Sequence, residues 1–200
     1  MFFEPFSFSG LNLKNRLVRS ATYEKRADDD GFVTDAIIEF YEKLARGGVG
    51  LIITGNALVH PSGRSIQNAL CVHSDIYIGG LRRLSSRIHE LGGIVILQIA
   101  HGGRQCFPIL LGGNPPLAPS AVFEPSIKVM PKEMTDAEIW EIIDSFGDAA
   151  KRARIAGFDG VQIHGAHGYL VSEFLSPHTN RRDDYWGGDE ERRSHFLEEV

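Results

Sequence analysis

The chain has 200 residues, 42% hydrophobic and 24% charged, with a formal net charge of -5. This is the composition of a soluble globular domain long enough to bury a core. The acidic balance excludes a general phosphate-backbone binder, so no nucleic-acid partner is expected.

The predicted elements alternate. Leu17-Val18-Arg19-Ser20 is a short extended segment. Thr34-Asp35 reads as a helix N-cap with an acid in the first turn, and Ile37, Ile38, Tyr41, Leu44 and Ala45 follow at helical spacing. Gly47-Gly48 ends that helix. Val49 to Thr54 is nearly continuously apolar, as a strand covered on both faces must be. A second helix begins at a Ser74 or Asp75 cap, carries Ile78, Leu81, Leu84, Ile88 and Leu91, and stops at Gly92-Gly93. Ile94 to Ile99 is the next buried strand.

The stretch from His101 to Lys132 is rich in Gly and Pro and reads as a long irregular loop, a type that is often functional. Thr135-Asp136-Ala137-Glu138 is a capping box for a third helix with Ile139, Ile142, Ile143, Phe146 and Ala150 on its buried face, and Gly157 ends it. Asp159 to His164 is a fourth strand. A long loop then reaches Glu190, where a fourth helix begins. Within that loop, Asn180 to Gly188 reads as a self-bonded segment held by Arg–Asp pairing and aromatic packing.

This βαβα order implies a parallel sheet flanked by helices. A doubly wound nucleotide binder would show a Gly-rich turn after its first strand, but Ser20-Ala21-Thr22-Tyr23 stands there and no GxGxxG occurs. A (β/α)8 TIM barrel fits better. A full barrel takes about 250 residues, so the expected fold is an α/β barrel truncated to about its first four βα units, with residues 1–200 forming the N-terminal part of a single domain.

Cys71 and Cys106 belong to no CxxC pattern, so neither a disulfide framework nor a zinc knuckle is expected, and a cytoplasmic location fits. Met1 to Asn15 has no signal-peptide pattern, and no apolar run approaches the roughly 18 residues of a membrane span. Arg181, Arg182, Arg192 and Arg193 are interleaved with acids and read as an ion-paired surface.

In a barrel, chemistry sits at the C-terminal strand ends and the loops after them. Polar residues fall at those places: Ser20 and Thr22, then Thr54 and Asn56, then Gln98 and His101, then His164, His167 and Tyr169. His164-Gly165-Ala166-His167-Gly168-Tyr169 is the sharpest cluster. Glycines permit a tight turn that faces both imidazoles toward one point. Imidazole N–H groups can donate to a substrate carbonyl or phenolate oxygen, which polarises a conjugated alkene toward hydride attack. Tyr169 offers a phenolic proton. The same His pair also fits half of a metal site, with no third ligand evident, or a packing histidine. Gln98 can read the edge of a flavin pyrimidine ring or simply cap strand backbone. His101-Gly102-Gly103-Arg104 is compatible with close approach to a ligand or with a tight turn carrying a surface Arg.

At these residues the sequence resembles the old yellow enzyme family, the NADH:flavin oxidoreductases. The resemblance runs through Leu13-Lys14-Asn15-Arg16-Leu17-Val18, Gly50-Leu51-Ile52-Ile53, Gln98-Ile99-Ala100-His101-Gly102-Gly103-Arg104 and Ala118-Pro119-Ser120. It is strongest from Ala156 through His164-Gly165-Ala166-His167-Gly168-Tyr169-Leu170 and on to Glu173-Phe174-Leu175-Ser176-Pro177. It implies FMN at the C-terminal face of the barrel and hydride passing from NAD(P)H through flavin N5 to an electrophilic, α,β-unsaturated alkene or similar small-molecule acceptor. By position it implies that His164 and His167 hold the substrate oxygen and Tyr169 protonates or positions the substrate. It likewise implies that Gln98 bonds the pyrimidine edge, that Ser20, Ala21 and Thr22 lie along the flavin, and that Asn56 approaches its ring. Tyr23 departs from the short Thr or Cys that many relatives carry near this place, and Arg192 stands where Asn is usual. The resemblance places the cationic group that balances reduced flavin, and the phosphate site, on later strands than these. The alternatives are a non-catalytic half-barrel that assembles with itself or with a separate C-terminal chain, and a metal-dependent hydrolase built on His164 and His167.

Overall fold

A computed structural model describes residues 1–200. Its strands are β1 (Phe6–Phe8), β2 (Leu11–Leu13), β3 (Val18–Arg19), β4 (Leu51–Leu58), β5 (Leu70–Cys71), β6 (Val95–Ala100), β7 (Leu117–Ala118), β8 (Lys132–Glu133) and β9 (Gly160–Ile163). Its α-helices are α1 (Asp35–Arg46), α2 (Ile78–Glu90), α3 (Asp136–Ile155), α4 (Leu170–Leu175) and α5 (Glu190–Glu199). The chain divides into two compact units, one of residues Met1–Ala57, Asn68–Ile99 and Ala149–Gln162, the other of Leu58–Gln67, Ala100–Asp148 and Ile163–Val200.

The first unit holds the main sheet, in the order β3-β4-β6-β9 with β5 beside β4. β3 and β4 run parallel, with Val18 opposite Leu51. All eight residues of β4 are buried, the apolar start Leu51–Ile53 together with Thr54, Gly55 and Asn56. The strand runs on past the expected Thr54 to Leu58, so Thr54 and Asn56 lie within it rather than after it. The periodicity ended too early there because Gly55 and Asn56 are poor strand formers that burial overrides.

In α1, Thr34 Oγ1 accepts the N–H of Ile37 at 3.3 Å, and Ile37, Tyr41 and Ala45 face the core. The expected side-chain cap of α2 does not form. Ser74 makes no cap bond, a 3-10 turn over Asp75–Tyr77 leads into the helix, and the Asp75 carboxylate takes Arg152 Nε at 2.7 Å instead. Ser85 Oγ donates to Ala156 O at 2.5 Å and ties α2 to the end of α3. A short antiparallel hairpin, β1–β2, precedes the sheet and turns through Ser9 and Gly10 at positive φ. Its strands are too short to show a period in sequence.

The second unit is built from the segments that follow β4, β6 and β9. The long segment after His101 is more ordered than expected. It contains 3-10 turns at Gly103–Gln105 and Pro108–Leu111 and the parallel β7–β8 pair, Leu117 opposite Lys132. The Thr135–Glu138 capping box forms as expected: Thr135 N donates to Glu138 Oε2 at 2.8 Å and Glu138 N to Thr135 Oγ1 at 3.3 Å. Ala149 and Ala153 line the buried face of α3 where Ala150 was expected. The loop before α5 contains α4, a helix too short to declare itself by periodicity. Phe174 of α4 stacks on Phe196 of α5 with centroids 4.2 Å apart. The segment from Asn180 is self-bonded as expected, with Arg182 Nη2 2.6 Å from Asp184 Oδ2 and Asn180 Nδ2 donating to Phe174 O and Trp186 O. No helix is long and apolar enough to cross a membrane. Cys71 and Cys106 are buried thiols not joined in a disulfide.

Candidate active site

In the first unit, the strand ends carry a connected polar layer. Arg19, the last residue of β3, organises the loop behind it. Its Nη1 donates to Ile53 O at 2.7 Å and its Nη2 to Thr22 O at 3.0 Å. Glu24 Oε1 and Tyr41 Oη both accept the N–H of Gly55, at 2.7 and 2.9 Å. Burial holds the Glu24 carboxyl above the ordinary range, against the Gly55 hydrogen bond and the Arg19 charge. The segment from Ser20 to Thr22 is thereby pinned at both ends. Ser20 and Thr22 are exposed, with Thr22 Oγ1 donating to Ser20 O at 3.2 Å. Ala21 is half-buried and packs against the cluster of Leu13, Leu51 and Ile53.

Asn56 is buried, and its Nδ2 has no hydrogen-bond partner in the protein. A buried amide donor without an acceptor costs on the order of 1–3 kcal/mol, which is tolerable where a ligand supplies the acceptor. Gln98, half-buried on the neighbouring β6, donates from Nε2 to Gln162 Oε1 on β9 at 2.7 Å, and its backbone N–H bonds Thr54 Oγ1 at 3.2 Å. Gln162 escaped the sequence reading, although its place in the fourth strand matches that of Gln98 in the third. Arg19 and Glu24 also escaped it, because a charge beside a strand reads as surface. The donor set fits a flavin: a buried amide without a partner, an amide pair and a pinned backbone segment.

In the second unit, the turn after β9 brings His164, His167 and Tyr169 together. The His164 ring lies 5.2 Å from that of His167 and 4.9 Å from that of Tyr169, centroid to centroid. His164 is buried while His167 is exposed. Ala166 N donates to His164 Nδ1 at 3.3 Å, which puts the imidazole proton on Nε2. Burial, and then the neighbouring His167, lower the His164 pKa, so the ring stays neutral and donates from Nε2. His167 has φ +60° and Gly168 φ +69°. No group of three or more His, Cys, Asp or Glu residues is placed to hold a metal ion, which leaves the hydrolase alternative without a third ligand.

The turn after β6 corrects one expectation. Arg104 is not a freely exposed surface residue: its largely covered guanidinium places Nη2 2.9 Å from Oε2 of the buried Glu124. Its backbone N–H donates to Glu173 Oε1 at 2.9 Å. Glu173 is fully enclosed, and burial raises its pKa well above the usual carboxylate range despite that bond and the Arg104 charge. His101 is also enclosed, with Nδ1 accepting from Gly103 N at 3.1 Å.

The NADH:flavin oxidoreductase / NADH oxidase family model matches residues 1–200. The chain belongs to that family. Members of this oxidoreductase family use FMN, with NAD(P)H as reductant. The chain is 42% identical over 199 residues to an NADH oxidase of Thermoanaerobacter brockii, covering 99% of this chain and 31% of the relative. It is 44% identical over 190 residues to an NADH:acrylate oxidoreductase of Vibrio harveyi, covering 94% of this chain and 19% of that protein. Among solved structures, the old yellow enzyme homologue from Zymomonas mobilis superposes with a TM-score of 0.93 at 31% identity, over 99% of this chain and 57% of that one. The chain thus spans between about a fifth and three-fifths of the length of these proteins. Its sheet and helices are those of part of an old yellow enzyme (β/α)8 barrel.

Proposed function

We propose that residues 1–200 form the first part of a single FMN-binding barrel domain in a cytoplasmic oxidoreductase that reduces small, electrophilic α,β-unsaturated acceptors at the expense of NAD(P)H. The observation that carries this reading is the single turn holding neutral His164, His167 and Tyr169. His164 donates from Nε2, and with His167 it holds the activating oxygen of the acceptor. Drawing electron density toward that oxygen makes the β-carbon electrophilic. Tyr169 delivers a proton from its hydroxyl to the α-carbon. Ser20, Ala21 and Thr22 line the flavin with their backbone, Asn56 donates to it from Nδ2, and Gln98, oriented by Gln162, bonds its pyrimidine edge. FMN, when bound, supplies hydride transfer between the nicotinamide and the acceptor. The Vibrio harveyi relative, named for acrylate, supports a conjugated carbonyl compound as acceptor.

The test is an FMN titration followed by flavin fluorescence, then anaerobic NAD(P)H oxidation with an enone or an unsaturated carboxylate. Saturable FMN binding with acceptor-dependent turnover supports the reading. Turnover unchanged by removal of both imidazoles sinks it.

A second reading is assembly with another copy. Val18 on the outer strand β3 is half-exposed, and Met1, Phe2, Phe3 and Phe6 at the N-terminus are exposed as well. Sedimentation of the purified chain as a monomer at micromolar concentration excludes it.

A further inference from the structure

We infer that Gln105 is a positioning residue for His167: its side-chain amide clamps the left-handed turn that aims this imidazole. His167 has φ +60°, a left-handed conformation uncommon for any residue but glycine, though histidine enters it more readily than most, and the surrounding contacts hold it there. Gly168 follows at φ +69°. Two successive left-handed residues turn their carbonyls to one side, and Gln105 Nε2 donates to both, at 2.8 Å to His167 O and 3.1 Å to Gly168 O. Both hydrogens of the amide are used. A Cβ at position 168 would lie 2.5 Å from Gln105 Nε2, so glycine there leaves room for the clamp.

The clamp is itself anchored. Gln105 ends the 3-10 turn Gly103–Gln105, whose Arg104 N–H is held by the buried carboxyl of Glu173 at 2.9 Å. Glu173 sits on α4, which begins directly after Tyr169, and Leu170 N donates to His101 O at 3.1 Å. The ring of contacts therefore closes: Gln105 on the histidine turn, the turn running into α4, α4 on the N–H of Arg104 beside Gln105. The imidazole of His167 is exposed, so its backbone and the edge of His164 set its direction. The role in substrate orientation rests on the function proposed above; the clamp itself does not.

The test compares Gln105→Ala and Gln105→Lys in the 200-residue chain. The lysine ammonium also donates to two carbonyls, whereas alanine donates to none. The first readout is amide hydrogen exchange at Tyr169, whose N–H closes the same turn on Ala166 O at 3.2 Å. Loss of two hydrogen bonds should speed that exchange by about tenfold or more in Gln105→Ala, and Gln105→Lys should restore it. Exchange at Ile142, in α3, should not move. The second readout is the affinity of the FMN-loaded protein for a para-substituted phenol, which should fall about tenfold in Gln105→Ala with FMN affinity unchanged. Unaltered Tyr169 exchange in Gln105→Ala overturns the clamp. Faster exchange with unaltered phenol affinity keeps the clamp and removes its role at the acceptor. Failure of the wild-type chain to bind FMN counts against the proposed function, while the exchange measurement still decides the clamp.

Discussion

Ser62 Oγ lies 3.0 Å from Nε2 of the buried His101. Because His101 Nδ1 accepts from Gly103 N, Nε2 carries the proton and donates to Ser62, whose hydroxyl passes a bond on to His60 Nδ1 at 2.7 Å. The ring is held neutral: burial, reinforced by His60, lowers its pKa from 6.5 to about 3. The unfolded chain therefore binds a proton that the fold excludes. The stability due to this exclusion is complete above about pH 6.5 and is lost as pH falls toward about 3. Urea-unfolding midpoints at pH 7, 5 and 4 should fall steeply for the wild type and less steeply for His101→Gln, which offers a neutral donor and acceptor. Parallel slopes would place the acid sensitivity elsewhere.

The orphaned amide of Asn56 predicts opposite effects on binding and on folding. In Asn56→Ala the buried unpaired donor is gone, so thermal stability should stay level or rise by about 1 kcal/mol. FMN affinity should fall by about two- to tenfold, the worth of one hydrogen bond. Calorimetry and a fluorescence titration read the two separately. A large loss of stability would mean the side chain has a partner in the fold.

Tyr169→Phe keeps the ring against His164 and removes the proton. Acceptor reduction should slow by about a hundredfold or more, the usual worth of a general acid, with NAD(P)H-driven flavin reduction unchanged. His164→Ala should weaken acceptor binding and also slow its reduction, since the imidazole both holds and polarises the acceptor oxygen. Equal losses in both half-reactions on Tyr169→Phe would assign the hydroxyl a structural role.

Glu173 carries the other sign of pH dependence. Its pKa is raised by burial, so the fold binds a proton that the unfolded chain releases, and stability declines as pH rises from about 4.5. Glu173→Gln keeps the acceptor for Arg104 N–H and should match the wild type at low pH and exceed it at neutral pH. Glu173→Ala leaves that N–H unpaired and should be less stable than Glu173→Gln by about 1–3 kcal/mol at every pH. Denaturant curves at pH 4.5 and 7.5 distinguish these outcomes.

The sequence shows best where one physical signal dominates. Continuous apolarity marked β4 and β6, the Thr135–Glu138 box marked the start of α3, and Gly157 at φ +87° marked its end. The His164–Tyr169 turn was legible because its glycines and polar rings are adjacent in sequence. What stayed hidden depends on distant partners. Nothing local says that Gln162 faces Gln98, that Arg104 pairs with Glu124, or that Glu173 holds a backbone N–H of another loop. Helix α4 and the β1–β2 hairpin were missed because six and three residues carry no measurable period.

The left-handed backbone at His167 also bears on how acceptor preference can be altered. A library that randomises this position selects on two properties at once, since most side chains are penalised for the dihedral before they meet any substrate. Asn and Gly should be over-represented among folded survivors whatever their chemistry, and β-branched residues depleted.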